Sequence, residues 1–248
     1  MQELFFASSG KKLFGILDHH SDGIVLIIHG HSSSSSGLSS KLFFKELSRR
    51  KISSFRIDLS GCGKSEGKFE NHTITSDANN VVSAVNFLRK RGYSHISLCG
   101  GSAGGLAVMA AALKIQGIEK IGLRAPVSDY PSKYLHTKGR KYISNWKKDG
   151  YVLYDSGDRG KIRLNYSFYE DSKKHVMYKK VGKIRCPVLI VHGTEDEQVD
   201  INDSRKLVKC FPDARLVELK GANHRCQIGG SMSKCNRLLV DFFEQRAE

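Results

Sequence analysis

Leu98-Cys99-Gly100-Gly101-Ser102-Ala103-Gly104-Gly105 is the stretch on which the reading of this chain turns. It runs out of a predicted strand, His95 to Cys99, into a small-residue helix from about Ala103 to Ile115, and so places G-x-S-x-G on a strand-to-helix turn. A serine forced into so tight a bend takes a strained backbone conformation, and its neighbours two residues away must lack a Cβ; Gly100 and Gly104 satisfy this. The bend lifts the Ser102 hydroxyl clear of the sheet. It also points the Ala103 N–H, at a helix N-terminus, toward the place where an attacked carbonyl gathers negative charge. Ser102 is the expected nucleophile and Ala103 one oxyanion donor. Glycine-rich turns of this kind also cradle phosphates, but the dinucleotide pattern G-x-G-x-x-G is not met.

Strand and helix alternate on both sides of that turn. Leu4 to Ala7 and Lys12 to Leu17 read as a hairpin around Ser8-Ser9-Gly10. Ile24 to Ile28 is an unbroken apolar run, as expected of a strand covered on both faces. A helix carrying Leu42, Phe43 and Leu47 leads to a strand at Ile52 to Ile57. Ser76 is the expected cap of a helix that buries Val81, Val82, Val85 and Leu88 and stops at Arg89-Lys90-Arg91-Gly92. Strands at Lys120 to Leu123, Val188 to Val191 and Arg215 to Leu219, with helices at 201–211 and 232–245, complete the pattern. Such alternation predicts an α/β fold, a mostly parallel eight-stranded sheet flanked by helices. The stretch 128–185, rich in Tyr and Lys and weakly periodic, reads as a cap inserted into a single domain over 1–248.

A serine hydroxyl needs a hydrogen-bonded base, itself oriented by a carboxylate. Two histidines follow the insertion: His192 ends a strand, whereas His224 lies in the polar loop Gly221-Ala222-Asn223-His224 beyond the last strand, which makes His224 the expected base. The loop after the preceding strand offers three acids in a row, Glu195, Asp196 and Glu197, and, a little further on, Asp200; the residues alone leave the choice of acid open. The second oxyanion donor is expected after the third strand, where Gly30 allows a sharp turn and lets the His31 N–H face Ser102, with the His31 ring as a pocket wall. Ser32 to Ser36 reads as a flexible loop.

The chain has 40 Lys and Arg against 25 Asp and Glu, a formal charge of +15. Residues 128–185 hold 15 of the basic and 6 of the acidic side chains, so +9 of that excess is local to the insertion. No nucleic-acid motif accompanies it, and a solvated face is the expected reading. Six scattered cysteines without a C-x-x-C pair suit free thiols rather than a disulfide framework or a zinc site. No apolar run approaches the roughly 20 residues that span a bilayer, and Met1 to Gly10, with acidic Glu3, does not read as a leader, so a cytoplasmic protein is expected.

Taken together, His29-Gly30, Asp58-x-x-Gly61-x-Gly63-x-Ser65-x-Gly67, the Ser102 turn, His192-Gly193-x-x-Asp196-x-x-Val199 and the His224 loop resemble a small carboxylesterase of the α/β-hydrolase superfamily, near its acyl-esterase, cinnamoyl-esterase and prolyl-oligopeptidase-like branches. The resemblance covers nearly the whole chain. It implies Asp196 as the acid, oxyanion donors at His31 and Ala103, a two-step acyl-enzyme mechanism on a small-molecule ester, and no metal or organic cofactor. Asp200, Ser60 and His31 depart from the usual family residues.

Rival readings are fewer. Gly61-Cys62-Gly63-Lys64-Ser65 suggests a phosphate loop, but that motif needs glycine where Asp58 stands. Peptide or thioester cleavage could use the same triad, and a hydrolase fold with an inert serine could serve only to bind. Trp146, Tyr142, Tyr151, Tyr154, Tyr166 and Tyr169 offer either a wall for an aromatic or anionic acyl group or packing of the cap onto the body. Cys226 and Cys62, near the motifs, read as buried structural thiols.

Overall fold

A computed structural model describes residues 1–156 and 160–245. Its strands are β1 (Gln2–Ser8), β2 (Lys11–Asp18), β3 (Gly23–Ile28), β4 (Ser53–Ile57), β5 (His95–Gly101), β6 (Ile118–Arg124), β7 (Tyr151–Asp155), β8 (Lys161–Asn165), β9 (Val188–Gly193) and β10 (Ala214–Leu219). Strands β7 and β8 form a separate antiparallel ribbon; the other eight make one sheet in the order β1-β2-β4-β3-β5-β6-β9-β10. The β1–β2 and β2–β4 pairs are antiparallel and every other pair in that sheet is parallel. Ser9 and Gly10, both at positive φ, make the two-residue turn that opens the sheet.

The unbroken apolar run of β3 has its predicted cause. Ile24, Leu26 and Ile28 pack into the core on one face, while Val25 and Ile27 point into a second core on the other. Helices α2 (Ile74–Lys90) and α3 (Ala103–Ala112) cover the first face, and α1 (Leu38–Arg49) and α7 (Ser231–Glu244) the second. Helix α3 is buried from Ala103 to Ala111, and for that reason it is built of Ala, Gly and a few larger apolar residues. Helix α2 starts earlier than the sequence reading placed it. Thr73 is the N-cap, its hydroxyl accepting from the Ser76 N–H, and Ser76 returns a bond to the Thr73 N–H, so Ser76 is the third helical residue of a capping box rather than the cap.

Between β6 and β9 the chain forms α4 (Tyr130–Asp149), the β7–β8 ribbon, α5 (Ser167–Ser172) and three short 3-10 turns. Helix α4 is bent at Gly139, whose φ of 79° breaks the helical path. The segment has its own aromatic centre: Trp146 is fully buried, donates Nε1–H to Leu164 O at 3.1 Å, and is ringed by Tyr134, Tyr142, Tyr166, Phe168 and Tyr169. Helix α6 (Ile201–Val208) follows β9, and Asp200 caps it by accepting from the Asn202 N–H. Among the described residues, no helix is long and apolar enough to cross a membrane.

Candidate active site

The loops that leave the C-terminal ends of β3, β5, β6, β9 and β10 meet at one edge of the sheet, where open α/β sheets hold their ligands. Ser102 follows β5 with φ 53° and ψ −122°, a conformation that an L-residue adopts only under constraint. The constraint is backbone packing. A Cβ at Gly104 would lie 2.4 Å from His29 O, and one at Gly100 would lie 2.4 Å from Gly104 O, so β3, β5 and α3 approach too closely for any side chain at those positions. Hydrogen bonds tie the bend down: Ser102 N–H donates to Arg124 O at 2.9 Å and Val127 N–H to Ser102 O at 3.1 Å.

The loop after β3 is set by His29. Its Nε2 accepts from the Leu59 N–H at 3.1 Å, so the proton lies on Nδ1, which donates to Gly30 O at 2.8 Å. This holds Gly30 against the elbow; a Cβ there would be 3.5 Å from both Gly101 O and Ser102 Cβ. The serine-rich loop beyond is anchored rather than free. The Ser35 N–H donates to Asp58 Oδ1 at 2.6 Å, and Arg56 donates to Ser35 O at 2.7 Å. Asp58 also accepts from the Lys64 N–H at 2.8 Å, and a Cβ at Gly63 would collide with its carboxylate, so the Asp58 to Gly67 motif is a brace for this loop and not a phosphate site.

Of the acids the sequence offers, Asp196 is the one whose carboxylate meets the His224 ring, while Glu197 accepts only from the His224 backbone N–H, at 3.2 Å. His224 Nδ1 lies 2.7 Å from Asp196 Oδ2; a carboxylate only accepts, so the shared proton belongs to Nδ1 and Nε2 keeps a free lone pair. Glu195 is exposed, and Asp200 is occupied as the α6 cap. The same Oδ2 also takes a bond from His192 Nε2 at 3.0 Å, while Oδ1 accepts from the N–H groups of Gln198 and Val199, each at 2.8 Å. His192 Nε2 lies 3.0 Å from Val199 O as well, so it carries the ring proton, and Nδ1 accepts from Ser204 Oγ at 2.7 Å. Burial pushes the Asp196 carboxyl up, yet the bonds from His192 and His224 and the His224 charge outweigh burial and hold it well below the usual carboxylate range. The His192 contribution was not foreseen from the sequence, although its place in the His192-Gly193-x-x-Asp196 motif carried the signal.

Ser102 and His224 face one cavity of about 850 Å³. No hydrogen bond joins the two side chains among the described residues. His31 lines this cavity, and Ala103, the residue after Ser102, is the first of α3, where a helix leaves its N–H groups without an intrahelical partner. The His31 ring lies in an aromatic cluster, edge-on to Tyr154 with centroids 4.7 Å apart and within about 5 Å of His72, Phe69 and Phe168. Burial pushes its imidazole well below the ordinary histidine range, with His72 and Lys133 adding to the shift, which matches a neutral wall residue.

The cavity wall is rich in hydroxyls. Ser32, Ser33, Ser34, Ser36, Ser39 and Ser40 line it with Gln198, Gln227, Arg124 and Arg225, and Leu38 and Tyr154 are its large apolar side chains. Of the six cap aromatics singled out in the sequence, Tyr154 lines the cavity; Trp146, Tyr142, Tyr166 and Tyr169 pack among themselves. Among the described residues, the cations that line it, Arg124 and Arg225, come from the body. Cys226, two residues past His224, is buried against Cys235; the hydrogen bond from that thiol pulls it down to about 7. No group of three His, Cys, Asp or Glu side chains among the described residues is arranged to hold a metal ion.

Comparison with known proteins agrees with the architecture. A family model described as serine aminopeptidase, S33, matches residues 19–154. The palmitoyl-protein thioesterase ABHD10, mitochondrial, of Mus musculus is 25% identical over 221 residues, covering 81% of this chain and 68% of that protein. The structure of the mouse alpha/beta hydrolase domain-containing protein 10 superposes with a TM-score of 0.85 at 20% identity, over 98% of this chain and 99% of that one. Est1E from Butyrivibrio proteoclasticus, solved with bound ferulic acid, superposes with a TM-score of 0.78 at 25% identity, over 96% and 97% of the two chains.

Proposed function

Because the chain belongs to the serine aminopeptidase S33 family and folds as an α/β-hydrolase, we propose that it hydrolyses carboxylic esters through an acyl-enzyme on Ser102. The observation that carries this reading is the shared cavity: a serine on a strained bend opens into the same space as a histidine whose far nitrogen is already committed to a buried carboxylate. In the first step Ser102 Oγ bonds to the carbonyl carbon and its proton passes to His224 Nε2. The ester C–O bond then breaks, and the leaving alkoxide takes that proton. Water repeats the sequence on the acyl-enzyme and releases the acid. The His31 and Ala103 N–H groups would bind the oxyanion in both halves, and Asp196 holds the tautomer that makes His224 a base. In this reading the segment 128–185 serves as a cap, contributing the cavity wall at Tyr154 to Ser156.

Thioester cleavage is the second reading, favoured by the similarity to the mouse palmitoyl-protein thioesterase. The hydroxyl-rich wall weighs against a long acyl chain, since a buried alkyl group gains roughly 0.8 kcal/mol per methylene only where apolar surface receives it. A fluorophosphonate probe, with 4-nitrophenyl esters of graded acyl length, methyl ferulate, a palmitoyl thioester and a peptide anilide, tests both. We expect labelling of the intact protein, no labelling of Ser102→Ala, fastest turnover of short esters, and a kcat loss of about 10⁶-fold in that variant. Labelling that persists in Ser102→Ala would refute the nucleophile. Preference for the palmitoyl thioester or the anilide would move the substrate class.

A further inference from the structure

Strand β6 is apolar from Ile121 to Leu123 and ends on a cation. Ile121 and Leu123 are fully buried and Gly122 packs against Leu239 and Phe243, but Arg124, half-buried at the C-terminal end of the strand, turns into the reaction cavity. Its guanidinium lies against the elbow. A Cβ at Gly101 would be 3.2 Å from Arg124 Nη2 and 3.4 Å from Nε, so the glycine next to the nucleophile leaves the space that the guanidinium occupies.

This cation has little to bind. Its side chain makes one hydrogen bond among the described residues, a weak one from Nη1 to Met232 Sδ at 3.7 Å, and no carboxylate pairs with it. Asp196, the nearest catalytic acid, is saturated by His192, His224 and two backbone N–H groups. Partly buried arginines are ordinarily paired, because losing water without a replacement acceptor is costly. Here the planar fork of donors faces a cavity whose wall, among the described residues, adds Arg225 and holds a single acid, Asp155. The cavity's electrostatics therefore favour an anion beside Ser102.

We propose that Arg124 is a specificity-determining residue that grips a carboxylate carried by the ester substrate while Ser102 attacks the ester carbonyl. The proposal rests on the reading of Ser102 as nucleophile, and it names the substrate class: esters of dicarboxylic acids or of carboxylate-bearing alcohols, rather than neutral fatty esters.

Two matched pairs test it and separate the two sources of the anion. Mono(4-nitrophenyl) adipate against 4-nitrophenyl hexanoate places the charge on the acyl side; 4-acetoxybenzoate against phenyl acetate places it on the leaving side. We expect the unaltered protein to favour the charged member of at least one pair. Arg124→Gln lowers that ratio of kcat/KM values about tenfold to a hundredfold, the strength of a charge-assisted hydrogen-bonded pair, and Arg124→Lys, which keeps the charge without the fork, falls between. A ratio within one preparation is independent of how much of the variant folds. Neutral esters hydrolysed in a Ser102-dependent manner, with both ratios unchanged by Arg124→Gln, overturn the proposal and leave the hydrolase reading standing. Failure to hydrolyse any of the four esters overturns both.

Discussion

The nucleophile bend and the inserted aromatic segment are both tightly packed, but different matter fills them. Around Ser102 the contacts are backbone to backbone: Gly100 and Gly104 bring β3, β5 and α3 within a distance that leaves no room for a methyl group, and Gly30 packs directly against Gly101 and Ser102. Around Trp146 the contacts are ring to ring, with Tyr134, Tyr142, Tyr166 and Tyr169 meeting it mostly edge-on or tilted at centroid separations of 5.2 to 6.1 Å. A site positioned by main chain keeps its geometry through hard contacts and obligatory hydrogen bonds. A cluster positioned by side-chain volume tolerates substitution of similar bulk, and it contributes mainly stability.

The largest expected effect that separates the two regions comes from Asp196→Asn. The asparagine Oδ1 can keep the Gln198 and Val199 N–H bonds, which turns its NH₂ toward His224 and His192. His224 must then accept at Nδ1 and carry its proton on Nε2, so it can no longer take one from Ser102. Steady-state kinetics should show kcat reduced about 10⁴-fold; a loss under tenfold would mean that Asp196 does not hold the tautomer. Trp146→Ala comes next. Deleting a fully buried indole should cost about 3–5 kcal/mol in chemical denaturation, with kcat of the folded protein little changed because Trp146 does not line the cavity. If kcat instead falls as far as in Asp196→Asn, the separation between catalytic bend and packing cluster is broken.

The smallest effect is a pH dependence. The folded-state pKa of Asp196 is depressed, so its contribution to stability is fully present above the unfolded carboxylate value of about 3.9 and is lost as pH falls through the folded value. Denaturation midpoints of the unaltered protein should therefore drop more steeply on acidification below about pH 4 than those of Asp196→Asn. Parallel curves would show that the His192 and His224 bonds do not stabilise the charged form.

Much of this was legible in one dimension. The apolar run of β3, the glycines flanking Ser102 and the placement of His224 after the last strand are local patterns, and the parallel eight-stranded sheet followed from them. The choice among Glu195, Asp196, Glu197 and Asp200 was not legible from the residues alone, because it depends on which carboxylate the loop turns inward; in the structure Glu195 and Glu197 are exposed, Asp196 is buried beside two histidines and Asp200 caps a helix. The serine run misled for the same reason: its composition signals mobility, while Asp58 and Arg56, more than twenty residues away in sequence, pin it through Ser35.

The sequence by itself determined the alternation of strands and helices, the glycine-flanked bend at Ser102 and the candidate groups for nucleophilic chemistry, because each is encoded by spacing and by residues whose backbone freedom is singular. Only the tertiary structure decided which polar groups share the cavity, that the insertion's aromatic rings turn mostly away from it, and that Arg124, without a carboxylate partner among the described residues, lies beside Ser102. Those outcomes depend on contacts between distant segments, where desolvation and hydrogen-bond saturation, rather than local propensity, select the arrangement.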